Sequence, residues 1–135
     1  MVTGAASLRG IGRSTAERLA RDGWSIAILD IDGTGAEQLA EQIAAGGSVR
    51  ALGVRTDITD EASVDAAIAL VESHLPPIVG LANVAGVSSP IDFMDVTSAE
   101  WDRVFSVNIR GAFLVTQRVV PAMVAQQAGR IVSVS

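Results

Sequence analysis

Thr3-Gly4-Ala5-Ala6-Ser7-Leu8-Arg9-Gly10-Ile11-Gly12 joins a short apolar stretch, which ends at Thr3, to a segment with the apolar spacing of a helix. Glycines in such a connection let the backbone turn tightly and approach a pyrophosphate, whose charge is met by free N–H groups at the start of the helix. Any tight link between a strand and a helix also favours glycine. This turn alone therefore supports a phosphate site and an ordinary connection equally.

Strand-like and helical stretches alternate along the rest of the chain, separated by glycine, aspartate and proline. We expect strands at 1–3, 24–29, 49–54, 78–85 and 130–135. We expect helices at 10–22, at 34–45, between a cap at Thr59 and a stop at Pro76-Pro77, and at 98–125 after a Thr97/Glu100 capping box. This order predicts an α/β fold, a doubly wound parallel sheet of the Rossmann-like type in three α/β/α layers, incomplete at both ends.

Asp30 stands at the end of the second predicted strand, 18 residues after Gly12. A carboxylate at this place can accept hydrogen bonds from both hydroxyls of an adenosine ribose, and it would repel a 2′-phosphate. Arg9 argues the other way, because a guanidinium could pair with that phosphate. Asp30 could also be a simple turn residue, since Asp32-Gly33 follows. The spacing favours the ribose role and NAD over NADP.

Composition excludes several kinds of chemistry. The chain has 135 residues, a net charge of −5, no cysteine and no tyrosine, and all ten of its basic residues are arginine. Thiolate catalysis, disulfides and Cys/His metal sites are therefore excluded, and we read the single histidine, His74, as a surface residue at a helix end. The acidic balance argues against nucleic acid and anionic membranes as partners. We expect one cytoplasmic domain, residues 1–135, that binds a small molecule and no metal.

Four segments carry a family resemblance. They are the glycine turn at 3–12, T-D-I-T-D at 56–60, L-A-N-V-A-G at 81–86 and V-N-I-R-G-A-F at 107–113. In this order and spacing they resemble the short-chain dehydrogenase/reductase family over the whole chain. The resemblance implies an NAD(P)-dependent oxidoreductase that interconverts a secondary alcohol and a ketone, with a 3-oxoacyl group as one candidate substrate.

The resemblance also implies roles for individual residues. The cofactor diphosphate would contact Gly4, Gly10, Ile11 and Gly12. The rest of the nucleotide would contact Asp30 at the ribose, Asp57 and Ile58 at the adenine, and Asn83, Ala85 and Gly86 in the cleft. Asn108 would support a proton relay by holding a water. Structural alternatives remain, because Asp57 could end a strand, Asn83 could tie neighbouring strands, and Asn108 is simply a polar residue in an apolar helical stretch.

The chain also departs from the family pattern. Its glycine turn is two residues longer than usual, and we expect the extra residues to bulge outward at Leu8-Arg9. The family's catalytic Ser, and the Tyr and Lys four residues apart on the next helix, are not present, and Ser135 matches the position just before that Ser. We therefore expect an N-terminal piece that is inactive alone. The alternative is a non-catalytic nucleotide-binding or scaffold domain.

The predicted helix at 98–125 has apolar residues on more than one face. One face can pack on the sheet, and another needs a second cover. A second subunit is the simplest cover, so we expect a homodimer or homotetramer that assembles through this helix.

Overall fold

Five parallel strands form one sheet in the order β3-β2-β1-β4-β5 in the computed structural model, which describes residues 1–47 and 49–134. The strands are β1 (Val2–Thr3), β2 (Ile26–Asp30), β3 (Ala51–Arg55), β4 (Gly80–Asn83) and β5 (Arg130–Ser133). The strand order reverses direction between β1 and β4, which is the switch point of a doubly wound sheet. The predicted fold class is confirmed.

Helices pack on both faces of this sheet, although one face is covered only in part. They are α1 (Ile11–Arg21), α2 (Gly33–Ala45), α3 (Glu61–His74), α4 (Ser98–Phe105) and α5 (Ala112–Ala125). Alternate residues of β2 point to opposite faces, so that Ile26 and Ile28 join a core with α1 and α2, whereas Ala27 and Leu29 join a core with α3 and α5. None of the helices in the described ranges has the length and apolar character needed to cross a bilayer.

Several predicted boundaries were wrong because strand pairing, and not apolar content, decides where a strand begins. β2 starts at Ile26, the first residue paired with β3, and Trp24 lies outside it with about half of its surface exposed. β4 covers only Gly80–Asn83 of the predicted 78–85. The predicted fifth strand ends at Ser133 in the structure, and Ser135 lies outside the described residues.

The nearly all-apolar stretch 78–85 predicts a strand that is covered on both faces, and this prediction is wrong for the described part of the chain. Leu81 and Asn83 are buried, whereas Ala82 is partly exposed. The open side of β4 and β5 forms an apolar groove of about 600 Å³ lined in part by Ala82, Val84 and Val132. The helices α1 and α2 pack over β1 to β3 and leave this side of the sheet uncovered.

Two helix predictions need correction. The stretch 98–125 is not one α-helix, since a π-helical segment, Ser106–Gly111, separates α4 from α5. Asp60, and not Thr59, caps α3, because the Asp60 carboxylate accepts the Ala62 N–H while Thr59 bonds to Asp57 instead. The bond from the Glu100 N–H to the Thr97 hydroxyl is present, at 3.2 Å, as half of the expected capping box.

Gly53 in β3 marks a close approach between a strand and a helix. A Cβ atom at Gly53 would lie 2.3 Å from the backbone carbonyl of Ala36 in α2. Gly80 in β4 is a contrasting case, because a Cβ atom there would have no neighbour within 4 Å. Glycine at position 53 is therefore what lets α2 lie directly on β3.

The variant Gly53→Ala should lose about 1–3 kcal/mol or more of the free energy of unfolding, because α2 must move away from β3. The matched strand variant Gly80→Ala should be neutral within about 0.5 kcal/mol or slightly stabilised. Urea unfolding followed by circular dichroism measures both. Equal effects of the two substitutions would contradict the close packing of α2 on β3.

Candidate functional site

The residues singled out from the sequence converge at the carboxyl ends of the central strands. Thr3 of β1 pairs with Leu29 of β2 on one side and with Asn83 of β4 on the other. The segments that follow these strands therefore leave the sheet side by side at one edge. In doubly wound sheets, ligands bind at this edge beside the switch point.

Two glycines of the turn make close backbone contacts, Gly4 with the end of β4 and Gly12 with the end of β1. Gly4 has a φ of +71°, and a Cβ atom there would lie 2.5 Å from the Cα atom of Ala85. A Cβ atom at Gly12 would lie 2.3 Å from the carbonyl oxygen of Gly4. The fold itself therefore requires glycine at positions 4 and 12.

Gly10 differs from these two glycines. Its backbone is extended, with φ −143°, and a Cβ atom there would make only an ordinary contact, 3.5 Å from the Cβ atom of Ser7. Neither strain nor crowding within the described part of the chain requires glycine here. The missing side chain at Gly10 leaves the start of α1 open to a close approach by another molecule.

The N-terminus of α1 presents backbone N–H groups at this edge. Gly10 is the N-cap residue, and no side chain among the described residues caps the helix. Ile11 in the first turn is 61% exposed. Leu8 and Arg9, where the two extra residues were expected to bulge outward, are exposed, as is Ser7 before them. The arrangement leaves donors and the positive end of the helix dipole available to an anion.

Asp30 lies next to this turn and already has two partners. One carboxylate oxygen, Oδ2, accepts the backbone N–H of Ala6 at 2.9 Å, and Oδ1 accepts that of Asp32 at 3.0 Å. Asp30 therefore ties the glycine turn to the end of β2 and also makes the local turn that was its structural alternative. A carboxylate accepts about four hydrogen bonds, so each oxygen retains one free position.

The loop after β3 contributes a fixed carboxylate. The Thr59 hydroxyl and the Thr59 N–H both donate to Oδ1 of Asp57, at 2.7 and 2.9 Å. These bonds, the hydroxyl one first, lower the pKa of Asp57 below its ordinary value. Ile58 is 7% exposed and belongs to the core.

The end of β4 is organised by side chains of neighbouring elements. The Asn83 amide donates to the hydroxyl of Thr116 in α5 at 3.0 Å and to that of Ser133 in β5 at 3.4 Å. Asn83 thus performs the structural tie that was weighed for it. Ala85 is partly buried and Gly86 is exposed, so both follow the strand at the open edge.

Asn108 lies in the π-helical segment and holds the loop after β4. Its Oδ1 accepts the Val87 N–H at 2.8 Å, and its Nδ2 donates to the Val87 carbonyl at 2.9 Å. The side-chain amide is therefore engaged on the main chain. A water in a proton relay would have to be held by the remaining lone pairs or by the backbone of this segment.

Sequence reasoning missed two contributors to this edge. The Thr3 hydroxyl, on a residue 1% exposed, accepts the N–H groups of both Val84 and Ala85 at 3.1 Å. Gly111 packs on Ile58, where a Cβ atom would lie 2.6 Å from its side chain. A hydroxyl at the end of an apolar strand was the available signal for Thr3. The contact at Gly111 has no local signal because its partner is 53 residues away.

The loop before α4 borders the same edge. Arg103 donates to both carboxylate oxygens of Glu100 at 2.8 Å and to the Ser88 carbonyl at 3.3 Å. The guanidinium lowers the pKa of Glu100 to about 2, so this carboxyl is ionised at ordinary pH values. The Glu100 carboxylate accepts hydrogen bonds from Arg103. This explains why it does not make the second bond of the capping box, to the N–H of Thr97.

Comparisons with known proteins agree with this geometry. The family model described as short chain dehydrogenase matches residues 1–135. The chain is 38% identical over its full length to the 3-oxoacyl-[acyl-carrier-protein] reductase of Aquifex aeolicus, covering 54% of that protein. It is 35% identical over 124 residues, 92% of its length, to a 2-(S)-hydroxypropyl-CoM dehydrogenase of Xanthobacter autotrophicus, covering 48% of that protein.

A solved structure gives the same result. The crystal structure of a 3-ketoacyl-ACP reductase from Sinorhizobium meliloti superimposes with a TM-score of 0.91 at 34% identity, over 99% of this chain and 52% of that one. The chain spans about half the length of the curated relatives it matches. Because the family model matches this chain from residue 1 to residue 135, the chain belongs to the short chain dehydrogenase family.

Proposed function

We propose that residues 1–135 form one NAD(P)-binding domain of an oxidoreductase that interconverts a secondary alcohol and a ketone. The observation that carries this proposal is the start of α1. A glycine that the fold does not require, Gly10, opens an uncapped helix N-terminus next to the carboxylate of Asp30. Backbone donors suit a diphosphate, and a neighbouring carboxylate suits the hydroxyls of a ribose.

The positions of the residues assigned to the cofactor suit a dinucleotide bound at the carboxyl edge of the sheet. Gly4, Gly10, Ile11 and Gly12 form the turn, Asp57 follows β3, and Ala85 and Gly86 follow β4 at the same edge. Asn83 and the Ile58 side chain would support this edge from inside the fold, as their burial indicates. Arg9 lies in the exposed part of the turn, and in the alternative with NADP its guanidinium would pair with the 2′-phosphate.

NAD is the cofactor that the proposal favours, because Asp30 offers acceptors for the ribose hydroxyls. The variant Asp30→Ala should raise the Kd for NADH about 10- to 150-fold, the equivalent of about 1.5–3 kcal/mol for a hydrogen bond to a charged group. The Kd for NADPH should rise less, because the substitution also removes the repulsion between the Asp30 carboxylate and the 2′-phosphate. Titration of protein fluorescence with each coenzyme measures both constants.

Asp32→Ala is the matched control for this experiment. Asp32 lies two residues after Asp30 and caps α2, and within the described ranges its carboxylate makes no bond to the glycine turn. This variant should leave the ratio of the two Kd values unchanged. If Asp30→Ala raised both constants equally, Asp30 would only hold the Ala6 N–H, and an unchanged Kd for NADH would remove it from the site altogether.

The chemistry of the family requires a hydride and a proton. A bound nicotinamide supplies the hydride. The proton requires an acid near the carbonyl oxygen of the substrate, and the resemblance assigns that role to a Tyr whose pKa a Lys lowers. This chain has neither residue type, so it contributes the cofactor edge and Asn108 but no phenol.

We therefore expect negligible turnover from the 135-residue chain, even when coenzyme is bound. The assay follows NADH absorbance with a 3-oxoacyl thioester and with a simple ketone, with binding of NADH verified in the same sample. Ketone reduction at a rate typical of the family would contradict the expectation. A longer protein that contains this chain followed by Tyr-x-x-x-Lys should be active.

A non-catalytic nucleotide-binding or scaffold domain is the second candidate, because the open start of α1 and the carboxylate of Asp30 would suit a bound dinucleotide whether or not a reaction follows. The two candidates share the dinucleotide site and differ in the residues that would follow. The compartment that we propose for both is the cytoplasm. Their small-molecule partners are a dinucleotide and, for the enzyme, a carbonyl or alcohol substrate.

Assembly through the long helical stretch is part of the proposal. Val115, Val119 and Met123 of α5 are buried in the core that α3 and α5 share with the sheet. An aromatic and aliphatic stripe lies exposed at four-residue spacing, and it consists of Trp101, Phe105, Ile109 and Phe113. The Trp101 and Phe105 rings stack at 4.5 Å. A contiguous apolar stripe of this kind favours a homodimer or homotetramer.

Light scattering on the purified chain should therefore give a mass of a dimer or tetramer. The double variant Phe105→Asp/Phe113→Asp should give a monomer, because charges on the stripe oppose its burial. Phe93→Asp is the control, since Phe93 is also exposed but lies in the 3₁₀ turn Phe93–Asp95, outside the stripe. A monomeric wild-type chain, or equal effects of both variants, would contradict assembly through this helix.

A further inference from the structure

The π-helical segment Ser106–Gly111 contacts two loops at the carboxyl edge of the sheet. Asn108 holds Val87 in the loop after β4. Arg110 and Gly111 reach instead to the loop 56–60, which follows β3. π-helical turns are rare in proteins, and those that occur often lie at functional sites. The second of these contacts has not been given a role by the proposed function.

Arg110 makes two different interactions with this second loop. Its guanidinium donates to the main-chain carbonyl of Thr59 and pairs with the carboxylate of Glu61 at 2.9 Å. The ion pair itself contributes little to stability, because 49% of the Arg110 side chain and 70% of the Glu61 side chain are exposed. The bond to the Thr59 carbonyl differs, because it fixes the backbone of the loop.

Fixing Thr59 fixes Asp57 as well. The N–H and the hydroxyl of Thr59 are the two donors that hold the Asp57 carboxylate. The Asp57 N–H donates in turn to the Ser63 hydroxyl of α3 at 2.9 Å. Between Asp57 and Thr59, the Ile58 side chain lies against Gly111. The π-helical segment thus holds this loop through a polar contact at Thr59 and an apolar contact at Ile58.

We propose that Arg110 is a positioning residue for the adenine half of the dinucleotide site. By holding the Thr59 carbonyl, it keeps the Asp57 carboxylate in place at the carboxyl edge of the sheet. Arg110 acts through Thr59 and not by touching the ligand. This inference rests on the proposed function, and it adds to it a residue that connects the helix of Asn108 with the adenine loop.

Arg118 provides a matched control within the same helical stretch. It lies eight residues after Arg110 and pairs with Asp65 of α3 at 3.0 Å, as Arg110 pairs with Glu61 of the same helix. In the part of the chain that the structure describes, Arg118 makes no bond to the loop 56–60. Removing either arginine breaks one exposed ion pair to α3, but only Arg110→Met releases Thr59.

The test measures amide hydrogen exchange without ligand and the Kd for 5′-AMP, in the wild-type chain, Arg110→Met and Arg118→Met. Arg110→Met should speed exchange of the Thr59 N–H and weaken 5′-AMP binding about five- to tenfold, as expected for one lost hydrogen bond. Arg118→Met should leave both quantities within about twofold of the wild type.

Each outcome decides one part of the proposal. Equal exchange of the Thr59 N–H in the two variants would overturn the contact that fixes the loop. Faster exchange in Arg110→Met with unchanged 5′-AMP binding would overturn the positioning role. A wild-type chain that binds neither 5′-AMP nor NADH would count against the proposed function, and the exchange comparison would still decide whether Arg110 fixes Thr59.

Discussion

The close approach between the start of α1 and the end of β1 is the constraint on which the rest of this edge depends. Gly12 lies so near the Gly4 carbonyl that a Cβ atom would be 2.3 Å from its oxygen, and Gly4 lies equally close to Ala85. The first N–H groups of α1 are thereby held directly above the switch point of the sheet. Asp30 completes the arrangement, because its carboxylate draws the Ala6 N–H toward the end of β2.

Side chains, and not secondary structure, then position the loops around this turn. The Thr3 hydroxyl holds the backbone after β4 at Val84, and Asn108 holds the same loop at Val87. Each uses its hydrogen-bonding capacity on main-chain groups, so the edge is built before any ligand arrives. Preorganised donors of this kind cost little reorganisation on binding. The same logic explains why buried polar residues persist in apolar strands and helices here.

The order of the elements along the chain was predictable because apolar runs and glycines record it locally, and the places of Gly12 near the start of α1 and of Asp30 at the end of β2 follow from that pattern. The π-helical segment was not, because one additional residue per turn alters hydrogen bonding without altering which residues are apolar. The cap of α3 was misplaced for a related reason. Thr59 and Asp60 are both good caps, and only the contact of Thr59 with Asp57 decides between them.

The account stands on the claim that backbone N–H groups at the start of α1 receive a dinucleotide diphosphate. Titration of the ¹⁵N-labelled, natively folded chain with NADH, followed by NMR, tests this most directly. The account predicts saturable shifts at the amides of Gly10, Ile11 and Gly12 and at Ala6, which Asp30 holds. An unchanged spectrum, or shifts confined to the groove along β4 and β5, would contradict it.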